Sequence, residues 1–267
     1  MEVIVLAAGQ GKRMRSVLPK VLQPLAAKPM LAHVLDTART LEARRIVVVY
    51  GHGGEVVREA LDAPDLAWAR QDPPQGTGHA VQQAMPLVED GDTALILYGD
   101  VPLIGVPTLQ RLMAAASDTA LALLTVSMDN PTGYGRILRD GAGKVTRIVE
   151  EKDATPDERQ VQEVNTGILA APVTRLRQWL GNLQNDNPQG EDYPPAMIAL
   201  AAAPRPGAPG GFFGRPVAGP GWGWPPLSRP PASGRRFSGR QRPRRRRSLH
   251  RRGGGARHRA RRAGDLA

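Results

Sequence analysis

Cysteine is absent from the 267-residue chain. That excludes a disulfide framework and any thiolate metal site, and it fits a reducing compartment. Long apolar stretches are also missing: no run approaches the roughly 18 residues of a membrane span. The first residues form an apolar strand pattern rather than a charged-then-apolar leader, so the expected location is the cytoplasm. Lysine is lacking from residue 204 onward, where 17 arginines face a single acid, Asp265; that segment carries +16, and residues 1–203 carry −5 of the total of +11. The basic character therefore belongs to the tail, and the remainder is mildly acidic. Aromatic residues make up only 4% of the chain, and Trp222, Trp224 and Phe237 stand too far from most of the arginines to build a base-stacking module. A nucleic-acid partner is not expected despite the basic tail. Few large apolar side chains and high net charge predict a disordered segment over residues 204–267. Its Arg, Pro, Gly and Ala all have G/C-rich codons, and the expectation is translation out of frame.

The 41% hydrophobic content suffices for a sizeable core, and its patterning repeats. Residues 3–6 are apolar at every position, as suits a strand buried on both faces of a parallel sheet. The run breaks into Ala7, Ala8, Gly9, Gln10, Gly11, Lys12, Arg13 and Met14. Small residues followed by two cations suit a phosphate cradle, with an ordinary strand-to-helix turn as the plainer alternative. The Rossmann dinucleotide fingerprint would need a third glycine at Met14. The Walker pattern needs four residues between its glycines, then Lys and Ser or Thr. Neither fits.

After Pro29, residues Met30, Leu31, Val34, Leu35, Ala38 and Leu41 fall on one helical face, with His33 beside them as a packing residue. Residues 46–50 form a second apolar strand, turned by Gly51, Gly53 and Gly54 into a helix over 55–61. A short strand at 68–71 leads to a helix that Thr77 is placed to cap. A buried strand follows over residues 94–103, with Asp100 its first charge, toward the carboxyl end where open α/β sheets bind ligands. Gly99 permits close approach. Asp100 offers the hard oxygens that magnesium prefers, or else a loop carboxylate of no special role. Next come a helix at 106–116 and a strand at 121–126. Residues 134–139 and 144–150 then flank the turn at 140–143 as an antiparallel hairpin, expected as a separate layer beside the main sheet. A strand from Asn165 and a helix from Pro172 complete the pattern. The fold class is α/β, with a mainly parallel sheet, helical crossovers and an added hairpin.

The segment Leu6-Ala7-Ala8-Gly9-x-Gly11-x-Arg13-Met14, followed by Leu18-Pro19-Lys20, resembles the signature of the sugar-1-phosphate nucleotidyltransferases. That resemblance implies a Rossmann-like fold. It also implies that Leu6, Ala7, Ala8, Gly9 and Gly11 wrap a nucleotide triphosphate whose charge partners are Arg13 and Lys20. Gln71 and the run Gly76-Thr77-Gly78-His79-Ala80 match the family's uracil-recognition segment. Tyr98-Gly99-Asp100-x-Pro-Leu matches its magnesium segment, with Asp100 as ligand. The stretches around Gly135, Glu150 and Asn165 resemble, within that family, the uridyltransferase domain of the bifunctional enzymes that make UDP-N-acetylglucosamine. By that likeness these three residues hold the amino sugar; taken singly, each would read as a surface residue. The implied reaction joins UTP and N-acetylglucosamine 1-phosphate with Mg2+ as cofactor, for peptidoglycan and lipopolysaccharide precursors. Two rivals stay open: a nucleotidyltransferase for another sugar phosphate or a molybdopterin-type acceptor, and an inactive UTP-binding domain.

The match extends to about Glu191. The family's closing strand, with an asparagine as second magnesium ligand, has no counterpart, and neither does its acetyltransferase β-helix. The expected domains are therefore 1–203, the nucleotidyltransferase, and 204–267, the tail. Acetyltransferase activity is not expected. The oligomeric state is left open, because the family's trimer is built by that β-helix.

Overall fold

The computed structural model describes residues 1–9, 16 and 18–186, with side chains described to residue 181. All of them belong to one unit, Met1–Pro220. The domain boundary expected at 203 and the helix expected over 197–203 lie outside the described residues.

Apolar runs at the expected places become the strands β1 (Glu2–Leu6), β4 (Arg45–Tyr50) and β6 (Thr93–Tyr98). A two-residue hairpin, β2 (Pro24–Leu25) and β3 (Lys28–Pro29), lies between the first two, and β5 (Leu66–Arg70) precedes β6. Side chains alternate across each strand, and both faces find partners. Ile4, Leu6, Val47, Val49 and Ile96 pack on one side of the sheet, and Val3, Val5, Val48, Leu95 and Leu97 on the other. The first side is covered by α3 (Gly76–Ala84) and α6 (Val173–Asp186), through Val81, Ala84, Leu176 and Trp179. The second is covered by α1 (Met30–Thr40), α2 (Glu55–Leu61) and α4 (Val106–Ala115), through Leu31, Val34, Leu35, Val57, Leu109 and Leu112. The unbroken apolar runs exist because each strand has no solvent face.

The remaining strands are β7 (Ala122–Ser127), β8 (Arg136–Arg139), β9 (Val145–Val149) and β10 (Glu163–Pro172), with a short helix α5 (Pro156–Arg159) before the last. They complete an eight-stranded sheet of order β5-β4-β1-β6-β10-β8-β9, with β7 also paired to β10. Its first four strands are mutually parallel, and β10 runs antiparallel to β6, β7 and β8. The β8–β9 hairpin is an addition, as expected, but not a detached layer. Val164 of β10 pairs with Arg136, and Ile137, Val145 and Ile148 bury into the same core as α6. Among the described residues no helix is long and apolar enough to cross a membrane.

Glu163 ties β7, β8 and β10 together. Its carboxylate accepts from Nε and Nη2 of Arg139 at 2.8 and 2.6 Å and from the Thr125 hydroxyl at 2.6 Å. Burial disfavours the charged form, but the bonds from Arg139 and Thr125 outweigh it and hold the carboxyl below its ordinary value of 4.5. Because the folded-state value is depressed, this stabilisation is complete above about pH 4.5 and is lost as the pH falls through the folded value. Glu163→Gln should cost about 1–3 kcal/mol in denaturant unfolding at pH 7. The difference from wild type should shrink on acidification; an equal cost at pH 7 and pH 3 would remove the carboxylate from this role.

Candidate functional site

The order of the parallel strands reverses beside β1. From β1 the chain moves outward to β4 and β5, then returns to place β6 on the other flank of β1. At such a reversal the loops leaving two neighbouring strands part in opposite directions and leave a crevice at their carboxyl ends. Here those ends are Leu6 and Tyr98, which face one another in register. A cavity of about 500 Å³ opens there, lined among others by Leu6, Ala8, Gly9, Lys20, Gln71, Gly76, Thr77, Tyr98 and Asp100. That volume suits a small organic ligand.

The loop after β1 is held by the backbones beside it. Ala7 donates to the carbonyl of Val49 at 2.8 Å, and Gly99 donates to that of Leu6 at 2.9 Å. A side chain at Gly51 would put its Cβ 2.7 Å from the Ala8 carbonyl oxygen. One at Gly99 would meet Leu31 Cδ1 at 3.1 Å and Ala7 Cβ at 3.3 Å. Three small positions, at the ends of three adjacent strands, thus let the chain at Ala7 and Ala8 pass close to its neighbours.

Lys20 begins a short 3-10 turn after Pro19, pinned by the burial of Val21 and Leu22. This places its ammonium on the Asp100 carboxylate, an ion pair in which both groups keep some exposure. Gln71, at the end of β5, is 3% exposed; its backbone N–H donates to Tyr50 and its amide nitrogen to the carbonyl of Gly76 at 2.9 Å. Gly76 has φ +84° and opens α3. Thr77 does not cap that helix: the N-cap is Gln75 and no side chain caps it. Thr77 instead sits within the first turn and lines the cavity, because the chain enters helical geometry one residue before it. His33 is half-buried, with Nε2 2.8 Å from the Leu25 carbonyl, so it fastens α1 to the β2–β3 hairpin.

Gly135, Glu150 and Asn165 form a second group that does not line the cavity but reaches it through contacts. A Cβ at Gly135 would lie 2.9 Å from Glu150 Oε1, so the absence of a side chain lets the carboxylate pass. Asn165 donates its backbone N–H to the Gly135 carbonyl at 2.9 Å, and its Oδ1 accepts from Gly167 at 2.8 Å. Gly167, with φ +76°, lies under the Tyr98 ring, where a Cβ would fall 2.5 Å from the hydroxyl oxygen. Tyr98 lines the cavity. The two groups are therefore neighbours joined at Gly167 and Tyr98. Gly11 and Arg13 lie outside the described residues.

Ala80, from the run matched to base recognition, lines the cavity as well, and beyond the residues expected from sequence so do Val21 and Pro74. Gly51 and Gly167 matter more. Each carried a readable signal, since Gly51 follows β4 as Gly99 follows β6, but only the packing tells a close approach from an ordinary turn.

A mixed sheet whose parallel half carries a crevice at a strand-order reversal, flanked by small residues and a lysine–aspartate pair, defines an α/β protein of the doubly wound class. The chain belongs to the MobA-like NTP transferase domain family, whose model matches residues 3–165. It is similar to the bifunctional protein GlmU of Azoarcus sp. (strain BH72), with 78% identity over 203 residues, covering 76% of this chain and 45% of that protein. GlmU of Aromatoleum aromaticum is 67% identical over the same span, again covering 76% and 45%. The chain thus spans less than half the length of these curated relatives. A solved nucleotidyl transferase from Methanothermobacter thermautotroptrophicus shares the fold, with a TM-score of 0.51 and 22% identity, covering 74% of this chain and 80% of that one.

Gly51→Ala tests this close approach, since the new Cβ meets the Ala8 backbone, which must shift to clear it. Binding of a nucleoside triphosphate measured by calorimetry should weaken about tenfold, in line with the cost of overpacking. An unchanged dissociation constant would show that the close approach is immaterial.

Proposed function

We infer that residues 1–203 form a domain that transfers a uridylyl group from UTP to N-acetylglucosamine 1-phosphate. The products are UDP-N-acetylglucosamine, a cytoplasmic precursor of peptidoglycan and lipopolysaccharide, and pyrophosphate. The observation that carries this reading is the continuity of the two groups. A cavity holding Gln71, Lys20 and Asp100 adjoins, through Tyr98 and Gly167, the Gly135–Glu150–Asn165 group. The high identity to GlmU over 203 residues supports it.

In this reading the pyrimidine lies against Gln71, with Gly76 and Thr77 beside it, and the phosphates run over Ala7 to Gly11. The Asn165 Oδ1 is engaged by Gly167, which leaves the amide N–H groups to donate to an acetamido carbonyl. Glu150 accepts from sugar hydroxyls. A phosphate oxygen of the sugar phosphate attacks the α-phosphorus of UTP in line as the bond to the β-phosphate oxygen breaks, and pyrophosphate leaves with that electron pair. The nucleophile is already ionised near neutrality, so positioning and charge neutralisation dominate over base catalysis. Lys20 and Arg13 offset phosphate charge.

Asp100 is the residue that would hold magnesium. Among the described residues no group of three or more acidic or histidine side chains could hold a metal. One carboxylate fits magnesium in its usual nucleotide role, in which substrate phosphates and waters supply the other ligands. When bound, the ion would supply charge stabilisation on the phosphates.

The direct test is pyrophosphate release by the purified chain with a panel of nucleoside triphosphates and sugar 1-phosphates. UTP with N-acetylglucosamine 1-phosphate should be the preferred pair. Lys20→Ala and Asp100→Ala should each lower turnover by about 10²-fold or more. Full turnover in either variant would refute the assignment, and UTP binding without pyrophosphate release would define a binding domain instead.

A further inference from the structure

We propose that His79 is a positioning residue: it fixes the orientation of the Gln71 carboxamide and so makes the nucleotide cavity select a base with a ring N–H over one with a bare ring nitrogen. The inference deepens the uridylyl-transfer reading and rests on it for the place of the base.

The orientation follows from fixed partners. The two ends of a glutamine amide look alike in shape, and hydrogen bonds decide between them. The carbonyl of Gly76 can only accept, so the Gln71 atom 2.9 Å from it is the amide nitrogen. The same nitrogen lies 3.3 Å from Nδ1 of His79. Both Gln71 N–H groups are therefore committed, and Nδ1 of His79 is the accepting, unprotonated ring nitrogen. The other ring nitrogen, Nε2, then carries the proton. It sits 3.0 Å from the side-chain nitrogen of Gln83. A ring that accepts at Nδ1 needs an acceptor at Nε2. The Gln83 carboxamide, whose two ends are alike in shape and which no other hydrogen bond among the described residues fixes, is therefore assigned with its oxygen toward the ring.

The carbonyl oxygen of Gln71 is left over. It has no hydrogen-bond partner among the described residues, and Gln71 lines the cavity while being 3% exposed overall. The base thus meets an unpartnered acceptor on a residue that is otherwise buried. Uracil presents N3–H and satisfies it; cytosine presents a bare N3 and sets two acceptors against each other. In the place of uracil N3–H, the amide could meet cytosine N3 only by turning over, which would aim its oxygen at the Gly76 carbonyl and at Nδ1 of His79. Gly76 holds one N–H and His79 the other, and both resist the turn. A site whose buried polar group is left unpaired by the wrong ligand discriminates more sharply than an apolar pocket.

Binding of UTP and of CTP to the full chain, measured by calorimetry beside thermal denaturation, tests this. Wild type should prefer UTP by about 100-fold. His79→Ala should reduce that ratio about tenfold, the worth of one buried hydrogen bond. The pair His79→Asn and His79→Gln decides the matter even if the alanine variant folds poorly. The asparagine oxygen can reach the place of Nδ1 and should keep the ratio. The longer glutamine places its amide near Nε2 and should lose it. A ratio unchanged in His79→Gln, or lost equally in His79→Asn, would overturn the role of His79 and leave the uridylyl reading standing. A wild type without preference for UTP would instead overturn the placement of uracil against Gln71, and the proposal with it.

Discussion

Close approach of backbone to backbone at the carboxyl ends of β4, β1 and β6 is the constraint on which the site depends. These three parallel strands lie side by side, and each ends in a residue with little or no side chain: Gly51, Ala7 and Gly99. The bonds from Ala7 to Val49 and from Gly99 to Leu6 continue the sheet past its last paired residues. At Ala7 the chain after β1 is laid down as an extension of the sheet. The cavity is consequently shallow at its floor and walled by what enters from the sides, with α3 bringing Gly76 and Thr77 and the turn at Lys20–Leu22 bringing its lysine. Buried Val21 and Leu22 hold that turn down, so the same core that covers one face of the sheet aims Lys20 at Asp100.

Polarity within the site is settled by commitments made outside it. Gln71 gives its donors to Gly76 and His79 and keeps an acceptor; Asn165 gives its acceptor to Gly167 and keeps its donors. Two chemically equivalent amides thereby present opposite faces. Lys20 and Asp100 neutralise one another, which limits the cost of holding either charge in a half-closed cleft. In the uridylyl-transfer reading proposed above, a triphosphate would offer the lysine a second anion and release the carboxylate for a cation. The exchange trades like for like and leaves no charge unpaired.

Much of this was legible in the chain. Buried parallel strands announce themselves as apolar runs, since neither face meets water, and β1, β4 and β6 stand where such runs occur. The spacing of glycines, cations and Asp100 carried the resemblance that grouped them. Three features were not legible, each for a physical reason. The β2–β3 hairpin turns through Ala26 and Ala27 at φ 49° and 63°, a region alanine seldom adopts, so no turn residue marks it. Thr77 has the chemistry of a cap, but Gly76 at positive φ starts the helix earlier. The hairpin β8–β9 has the alternation of a free ribbon, and only the partner that receives its apolar face, shared with α6, shows that it extends the sheet.

The joint between the two groups is an irregularity in a strand. Along β10, Asn165 pairs with Thr125 and Leu169 with Leu123, so β10 advances four residues while β7 advances two. The surplus is taken up at Thr166 and Gly167. The Thr166 hydroxyl donates to the Leu124 carbonyl at 2.7 Å and accepts from Ile168 at 3.2 Å, and Gly167 supplies the positive φ. A bulge of this kind re-aims the side chains on either side of it. In a regular strand Asn165 would be one more rung facing β7 and β8, and a residue with a Cβ at 167 would collide with Tyr98. With the bulge, the strand that closes the core through Ile168 to Ala171 also turns Asn165 toward Gly135 and presses Gly167 beneath the tyrosine that lines the cavity. One departure from strand geometry therefore couples the Gly135–Glu150–Asn165 group to the cavity, and the stability of the sheet around it holds the two in register.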